Sequence, residues 1–417
     1  MKLAKMMMAL ALPGLVHAAA PAVGNINVVQ DEQRLVTISY TLADADAIVT
    51  MDVLTNGVSI GSALYANATG DVNVKVKQGL RKITWQPRAT WPDRKIRDKS
   101  LSVKLTVWAL DNPPDYMCVD LATKSNVVWY VGADDVPGGV TADIYKTDKL
   151  LMRRIHAEGI RWRMGCPAAS GMGNARTPGH FVTLTNDYYM AIFETTIGQR
   201  SRMVSGTAAT GTDAAYPDRA TSYVDLRGAT SGHDWPKDGH AVADDSVIGK
   251  LRKHAGIKGF DLPTKAEWEY AARAGSYGYY HWGFDTSTDV FKQYEWIYAT
   301  TKDAAINSEC GGDGSYHAQK VGLLTPNAWG LYDMHGNCFE RSLDWYSAAD
   351  GYSKHGSDVI APTGPDSGSG RVIHGGGFTH GANASYVFYN EGYVETGKNA
   401  TNVGYRLACP ADFNDVQ

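Results

Sequence analysis

The residues best placed to bind a cation lie in the run NAWGLYDMHGNCFERSLDWY, at positions 327–346. Within it, Gly336-Asn337 is typical of a turn that needs a positive φ, and Glu340 follows three residues after Asn337. An amide, a carboxylate and exposed turn carbonyl groups supply the oxygen ligands that a hard cation such as calcium prefers. The same residues fit equally well a capped turn in an aromatic core that binds no metal, so both interpretations stay open.

The element that positions these residues is not a regular one. The run contains four aromatic side chains, and its apolar residues follow neither strict alternation nor a period of 3.6. This pattern predicts a compact loop held by buried rings, and not one long helix or strand. The rings belong to Trp329, Tyr332, Phe339 and Trp345.

The length and charge of the chain limit its architecture and its partners. The chain has 417 residues, which is more than one ordinary hydrophobic core accommodates, so we expect two domains. It carries 40 basic and 44 acidic side chains, a net charge of −4. Because no basic surplus is available to neutralise phosphates, this balance argues against a nucleic-acid partner.

Positions 1–20 have the pattern of a secretory signal peptide. Lys2 and Lys5 precede an apolar run at 6–16, and small residues follow at 18–20. The apolar run is too short to cross a bilayer, and no later segment is apolar enough to do so. We therefore expect an exported protein that does not span the membrane and is secreted, periplasmic or located on the cell surface.

The segment 21–111 predicts a small β-sandwich. Apolar and polar residues alternate from 36 to 42, as on a strand with one buried face, and the Asn56-Gly57 pair marks a hairpin. Short strands at this spacing are typical of an immunoglobulin-like domain, so we predict one over 21–111. Nothing in this segment is arranged for catalysis.

A polar break, DNPPD at 111–115, separates this domain from the rest of the chain. We interpret 112–158 as a connector and 159–417 as a second domain, which is rich in glycine and aromatic residues. Two helices are predicted in the second domain, at 246–255 and at 262–275.

The second of these helices has the clearest end signals in the chain. Thr264 and Glu267 form the capping box T-x-x-E, in which each side chain bonds the other residue's backbone N–H group. Gly275 supplies the stop. We interpret the helix glutamates as capping and solvated groups, not as catalytic acids.

Four blocks of the second domain resemble, in order, the signature blocks of the formylglycine-generating enzyme family, also called sulfatase-modifying factors. The resemblance covers about 159–409 and implies a variant of the C-type lectin fold with little regular secondary structure. Together with the predicted N-terminal β-sandwich, this makes α+β the expected fold class of the whole chain. The blocks are LPTKAEWEYAARAG at 262–275, the 327–346 run, RVIHGGGF at 371–378 and GYRL at 404–407.

The resemblance also bears on catalysis. The family's oxidases bind copper through two cysteines, whose soft thiolates suit Cu(I). These cysteines lie between the family's RGG and GFRL blocks, which correspond to RVIHGGGF and GYRL in this chain. Here the interval 378–403 contains no cysteine, and Ser385 stands near the position of the first. Copper oxidase chemistry of that kind is therefore not expected, and no catalytic residue is carried over.

The family's structural calcium site implies two metal ligands in this chain, Asn337 and Glu340. Arg341 follows Glu340 directly and would weaken it as a ligand if the two side chains paired. The family fold further brings its first and last strands close together. Of the five cysteines, Cys166 and Cys409 follow those strands, so the resemblance and an oxidising compartment imply a disulfide between them.

Two functions of different classes fit these observations. The first is an exported binding or surface-interaction protein whose ligand is a glycan or another protein. Its ligand face would include five residues, Tyr386, Phe388, Tyr389, Asn390 and Tyr393, because rings mixed with amides and glycines form adaptable recognition surfaces. The same aromatic run fits core packing as well. The second function is a metal-dependent oxidase of the formylglycine-generating class with relocated metal ligands.

Overall fold

The structure is a computed structural model that describes most of the chain as two compact units. The described residues are 20–92, 101–123, 127–166, 179–211, 213, 219–220, 226–227, 242–346, 358–368, 370–393 and 402–414. Of these, residues up to 59 and from 67 to 109 form unit 1, whereas 60–66 and the residues from 110 onward form unit 2. The predicted signal peptide lies outside the described residues, except for its last position.

Unit 1 consists almost entirely of antiparallel strands in two sheets. One sheet has the order β1-β2-β7-β5, and in the other β3 pairs with β4, β6 and β8. The strands are β1 (Ala22–Gln30), β2 (Val36–Ala43), β3 (Ala47–Thr55), β4 (Val58–Ser59), β5 (Thr69–Gly70), β6 (Val74–Val76), β7 (Gly79–Trp85) and β8 (Leu101–Trp108), with one short helix, α1 (Pro87–Thr90).

The predicted alternation and hairpin are both confirmed in unit 1. Along β2, every second residue from Val36 to Leu42 is buried, because successive side chains of a strand point to opposite faces. Asn56 and Gly57 have φ values of 52° and 81° and connect β3 to β4, as a two-residue hairpin with both central φ angles positive requires. The immunoglobulin-like class of this unit stays a prediction.

Unit 2 contains the remaining strands and six further helices. The strands are β9 (Tyr116–Asp120), β10 (Val127–Tyr130), β11 (Lys149–Ile155), β12 (Arg161–Met164), β13 (His180–Thr183), β14 (Tyr188–Ala191), β15 (Phe339–Tyr346), β16 (Asp358–Ile360), β17 (Gly370–His374), β18 (Glu391–Tyr393), β19 (Val403–Gly404) and β20 (Ala408–Pro410). The helices are α2 (Ile197–Ser205), α3 (Val247–Ala255), α4 (Lys265–Arg273), α5 (Thr288–Tyr294), α6 (Tyr298–Thr301) and α7 (Ala304–Glu309).

A five-stranded antiparallel sheet of order β10-β9-β11-β14-β20 runs through unit 2. All four residues of β14 are buried, as expected of a strand covered on both faces. The segment 112–158, predicted as a connector, supplies β9, β10 and β11 to this sheet and belongs to unit 2. Its polar start at 111–115 resembles a linker in composition, and composition alone does not reveal the pairing that follows.

A second sheet, of order β18-β17-β15-β19, positions the 327–346 run. In it, β15 and β17 are antiparallel, with Glu340 opposite His374. The short strand β19 lies parallel to β15 and places Gly404 opposite Glu340, so the GYRL block begins beside the candidate metal ligand. A third sheet, β12-β13-β16, completes the unit.

Both predicted helices are present, as α3 and α4. The Thr264 side chain accepts the Glu267 N–H at 3.2 Å, and the Glu267 carboxylate accepts the Thr264 N–H at 2.7 Å, which confirms the capping box. Ala274 and Gly275 both have positive φ and end the helix. Trp268 lies on the buried side and joins the core of unit 2.

The predicted disulfide between Cys166 and Cys409 is wrong. Cys409 has a free thiol, which donates to the Pro410 carbonyl oxygen at 3.5 Å. Cys166 follows β12 in the three-stranded sheet, whereas Cys409 lies on β20 opposite Tyr189 in the five-stranded sheet. The two strands thus belong to different sheets and are not hydrogen-bonded neighbours.

Over the described part of the chain, β structure predominates and the helices are short. No helix in that part combines the length and the apolar character needed to cross a bilayer.

Candidate ligand face and its buried support

The turn that carries Asn337 has the predicted positive φ. Gly336 and Asn337 have φ values of 78° and 58°. A Cβ atom at Gly336 would lie 2.5 Å from the Trp296 carbonyl oxygen, so only glycine fits between this turn and the residue opposite. The Asn337 N–H donates to the same carbonyl at 2.7 Å, which fixes the turn against the core.

The Asn337 side chain is completely buried and connects two distant segments. Its Oδ1 accepts the Gln319 N–H at 2.8 Å, and its Nδ2 donates to the Glu194 carboxylate at 2.5 Å. The other oxygen of Glu194 accepts the Cys338 N–H at 2.9 Å. The amide thus has protein partners on both its donor and its acceptor side.

The Glu340 carboxylate is held by a residue of the GYRL block. Arg406 Nε lies 2.9 and 2.7 Å from the two oxygens, and its Nη2 donates at 2.6 Å. Trp268 Nε1 adds a further bond of 2.6 Å. Arg341 follows Glu340 on β15, where adjacent side chains point to opposite faces of the sheet.

Three buried carboxyl groups share this part of the core with one guanidinium group. Burial raises the pKa of Glu194 and of Asp333, and the Arg406 guanidinium opposes this rise at both. Asp333 Oδ2 accepts the Gly322 N–H at 2.7 Å, whereas its Oδ1 has no hydrogen-bond partner among the described residues. Lys146 is a second cation that lowers the pKa of Asp333.

The geometry bears directly on the expected calcium ion. In this arrangement, the side-chain oxygens of Asn337 and Glu340 all accept bonds from protein donors. Calcium could use Glu340 only if Arg406 released it. No group of three or more His, Cys, Asp or Glu residues suited to a metal occurs within the described ranges. Calcium at Asn337 and Glu340 stays a prediction.

The five predicted ligand residues divide by burial. Phe388 and Asn390 are only 4% and 5% exposed, and Phe388 belongs to the core of unit 2. Tyr386 and Tyr389 are half-buried and so reach solvent in part. The side chain of Tyr393 lies outside the described part of the chain. Phe388 and Asn390 are thus buried, as expected if the aromatic run packs in the core. Tyr386 and Tyr389 are accessible enough to contact a ligand, as expected of a ligand face.

Tyr386 joins an aromatic surface that the sequence reasoning missed. Its ring centroid lies 5.0 Å from that of Tyr279, which lies 4.9 Å from Phe284, and Phe284 is 52% exposed. Half-buried Trp282 is stacked between two tyrosine rings, Tyr280 at 4.3 Å and Tyr294 at 4.8 Å. We call Tyr279, Trp282, Phe284 and Tyr386 the aromatic face. The available signal was YGYYHWGF at 277–284, a dense aromatic run just after a helix stop.

Beneath the aromatic face lies Ser385, which is fully buried. Its hydroxyl oxygen is 2.6 Å from Glu295 Oε2 and 2.8 Å from the Ala382 carbonyl oxygen. The Tyr280 hydroxyl donates to the same carbonyl at 3.0 Å. Glu295 Oε1 has no hydrogen-bond partner within the described residues. The Ser385 hydroxyl is therefore committed to the loop and to one buried acid.

Two histidines pack against the same region, and burial lowers the pKa of each. The pKa of His281 falls to about 4, and that of His335 falls well below its usual value. His335 Nδ1 donates to the Ser385 carbonyl oxygen at 2.6 Å, and its Nε2 accepts the His281 N–H at 3.3 Å. Both rings are thus neutral near pH 7, and neither supplies a positive charge to Glu295, the acid that contacts Ser385.

Comparison with known families gives one match that covers most of unit 2. A statistical model of the family described as "Sulfatase-modifying factor enzyme 1-like domain" matches residues 161–411. The chain is 36% identical over 118 residues to the formylglycine-generating enzyme of Thermomonospora curvata, covering 28% of this chain and 38% of that protein. It is 30% identical over 138 residues to the "Inactive C-alpha-formylglycine-generating enzyme 2" of Bos taurus, covering 28% and 44%.

The matched region thus spans less than half of the length of these relatives. Among solved structures, "Treponema denticola variable protein 1" superposes with a TM-score of 0.45 at 20% identity, covering 63% of this chain and 95% of that one.

Proposed function

Because this chain belongs to the family defined by the sulfatase-modifying factor enzyme 1-like domain, we propose that it uses the scaffold of that family to bind a ligand and not to oxidise one. The ligand is a glycan or a protein outside the cell or on its surface, and it binds at the aromatic face. The leader-like segment at 1–20 supports export. The strands of unit 1 support an immunoglobulin-like module N-terminal to the binding domain in the sequence.

One observation carries the proposal: the loop where the resemblance expects a copper-binding thiol contains Ser385. A serine hydroxyl is a hard ligand and does not replace the soft thiolate that Cu(I) requires. It is also buried and shared between Glu295 and the Ala382 carbonyl group, so it is not available to a substrate.

The aromatic face supports non-covalent recognition. Rings held by one another lose little conformational entropy when a ligand covers them, and they give a large contact area. Tyr279 contacts both Phe284 and Tyr386, and Trp282 is fixed by its two stacked neighbours. The surface is therefore preorganised, which is the property that raises affinity at a given contact area.

The proposal is tested with purified full-length protein on a glycan array and in a pull-down with surface extracts. Phe284→Ala removes the most exposed ring of the aromatic face and is expected to weaken binding about tenfold or more. Tyr316→Ala is the matched control, because Tyr316 is 45% exposed and lies outside the aromatic face. Oxygen uptake with a cysteine peptide, or equal loss of binding in both variants, would contradict the proposal.

Calcium at Asn337 and Glu340 is a separate part of the proposal. Calcium titration by calorimetry on the wild type and on Glu340→Gln tests it. Binding in the wild type that is lost in the variant would support a site at Glu340, whereas equal heats in both would place any calcium elsewhere.

A further inference from the structure

If Glu295 is ionised, the Ser385 hydroxyl faces two acceptors, the Glu295 carboxylate and the Ala382 carbonyl oxygen, and has one proton to donate. A serine hydroxyl carries a single proton. The Ser385 oxygen lies within hydrogen-bond distance of both Glu295 Oε2, at 2.6 Å, and the Ala382 carbonyl oxygen, at 2.8 Å. If Glu295 is protonated, its O–H group donates to Ser385, and Ser385 donates to Ala382. Only this arrangement gives each of the two short contacts a proton.

The surroundings of Glu295 favour the neutral acid as well. The carboxyl group is fully buried, and no cation of the described residues forms an ion pair with it. An ionised carboxylate with one hydrogen bond and no counter-ion is strongly disfavoured in a protein interior. Burial raises the pKa of Glu295 to about 8, and the hydrogen bond from Ser385 opposes this rise only in part.

The other titratable groups of this layer are neutral too. Burial raises the pKa of Tyr280 and of Tyr386, and in both the Glu295 charge would raise it further. His281 and His335 are held in their neutral forms by burial. A proton on Glu295 thus leaves Glu295, the two tyrosines and the two histidines uncharged, and loss of that proton introduces a negative charge among them.

We propose that Glu295 is a positioning residue that carries a proton at neutral pH and uses it to hold the loop 381–386 beneath the aromatic face. The loop carries Tyr386, which contacts Tyr279 and Tyr280. When Glu295 ionises, Ser385 must turn its hydroxyl proton to the carboxylate, and the Ala382 carbonyl oxygen keeps the bonds from the Tyr280 hydroxyl and from the Ser385 N–H group. The loop then loses one of its anchors. The consequence for a ligand rests on the proposed function, whereas the protonation does not.

The direct test is infrared spectroscopy of the full chain, which needs no ligand. A protonated carboxylic acid has a carbonyl-stretch band that a carboxylate lacks. The wild type minus Glu295→Gln difference spectrum is expected to contain this band near neutral pH and to lose it with a midpoint of about 8. Glu309→Gln, at an exposed acid on α7, is the matched control and is expected to leave the band unchanged.

Two further measurements keep the proposal open to refutation if Glu295→Gln does not fold. Ser385→Ala removes the hydroxyl group that lies 2.6 Å from Glu295 Oε2, so the midpoint is expected to differ from that of the wild type. A fluorinated tyrosine at position 386 is expected to change its fluorine resonance with the wild-type midpoint. The proposal would be overturned if no carboxylic-acid band titrated near pH 8, or if the fluorine resonance did not change over the same pH range.

Failure of this inference and failure of the proposed function are distinguishable. A titrating band with no binding on the glycan array or in the pull-down would sustain the role of Glu295 and reject the binding function. Ligand binding that does not change between about pH 7 and pH 9, with no infrared band, would sustain the function and reject the role of Glu295.

Discussion

Arg406 binds the Glu340 carboxylate through three contacts of 2.6 to 2.9 Å, and both side chains are buried. The pair joins β15 to the GYRL block, which is supplied from far along the chain. Arg406 Nη1 also donates to the Ala191 carbonyl oxygen of β14 at 3.1 Å. One guanidinium group therefore connects the two larger sheets of unit 2.

Arg406→Ala is expected to destabilise unit 2 by about 3–5 kcal/mol, because it leaves an uncompensated carboxylate in the core. Urea unfolding measures the change. Arg161→Ala is the matched control, since its ion pair with Asp358 is more than half exposed on both sides. That variant is expected to lose less than about 1 kcal/mol. Similar losses in the two variants would contradict a structural role for the buried pair.

Thr264→Ala is expected to cost about 1 kcal/mol of stability, because the first turn of α4 loses its side-chain cap. Ser287→Ala makes the same kind of change at the start of α5, where the serine caps no N–H group. It is expected to change stability by less than about 0.5 kcal/mol. Thermal unfolding of both variants checks the contrast, and a larger effect at Ser287 would reject it.

Stability is expected to fall on acidification through His281. Its pKa is lowered to about 4 in the folded state, so below the usual value of about 6.5 the unfolded chain binds the extra proton. The loss begins as the pH falls below about 6.5 and is complete near about pH 4. Between about pH 7 and pH 5 it amounts to about 2 kcal/mol. Denaturant unfolding of the wild type and of His281→Gln at both pH values should show a smaller pH dependence in the variant.

Gly336→Ala is expected to destabilise by about 2–4 kcal/mol, since a methyl group would meet the Trp296 backbone in a turn with φ 78°. Gly275→Ala is the matched control. Gly275 also has a positive φ, but a Cβ atom there would meet nothing within 4 Å. Only the conformational cost of about 1 kcal/mol then remains. Equal effects at the two glycines would show that the overlap is relieved by movement of the turn.

Local signals made part of this structure predictable from the sequence. The capping box of α4 spans four residues, and the alternation in β2 and the Asn56-Gly57 hairpin are equally local. The 336–337 turn followed for the same reason, because positive φ values favour glycine and asparagine. In each case the residues that decide the conformation are neighbours in sequence.

Contacts between residues far apart in the chain could not be predicted from the sequence. Glu340 meets Arg406 and Glu295 meets Ser385 across intervals that no period or spacing connects. Nor does an irregular segment reveal which rings point inward, so buried Phe388 could not be separated from half-buried Tyr386. That β12 and β20 lie in different sheets is also a property of topology, which the sequence does not reveal.

The late position of β19, Arg406 and β20 has a consequence for biosynthesis. A growing chain exposes β14 and β15 on the ribosome long before these partners emerge. Until then one edge of β14 is unpaired and the Glu340 carboxylate lacks its counter-ion. Unit 2 is therefore expected to complete its folding only after translation has passed residue 410, and until then its open strand edge is a surface for chaperones to cover.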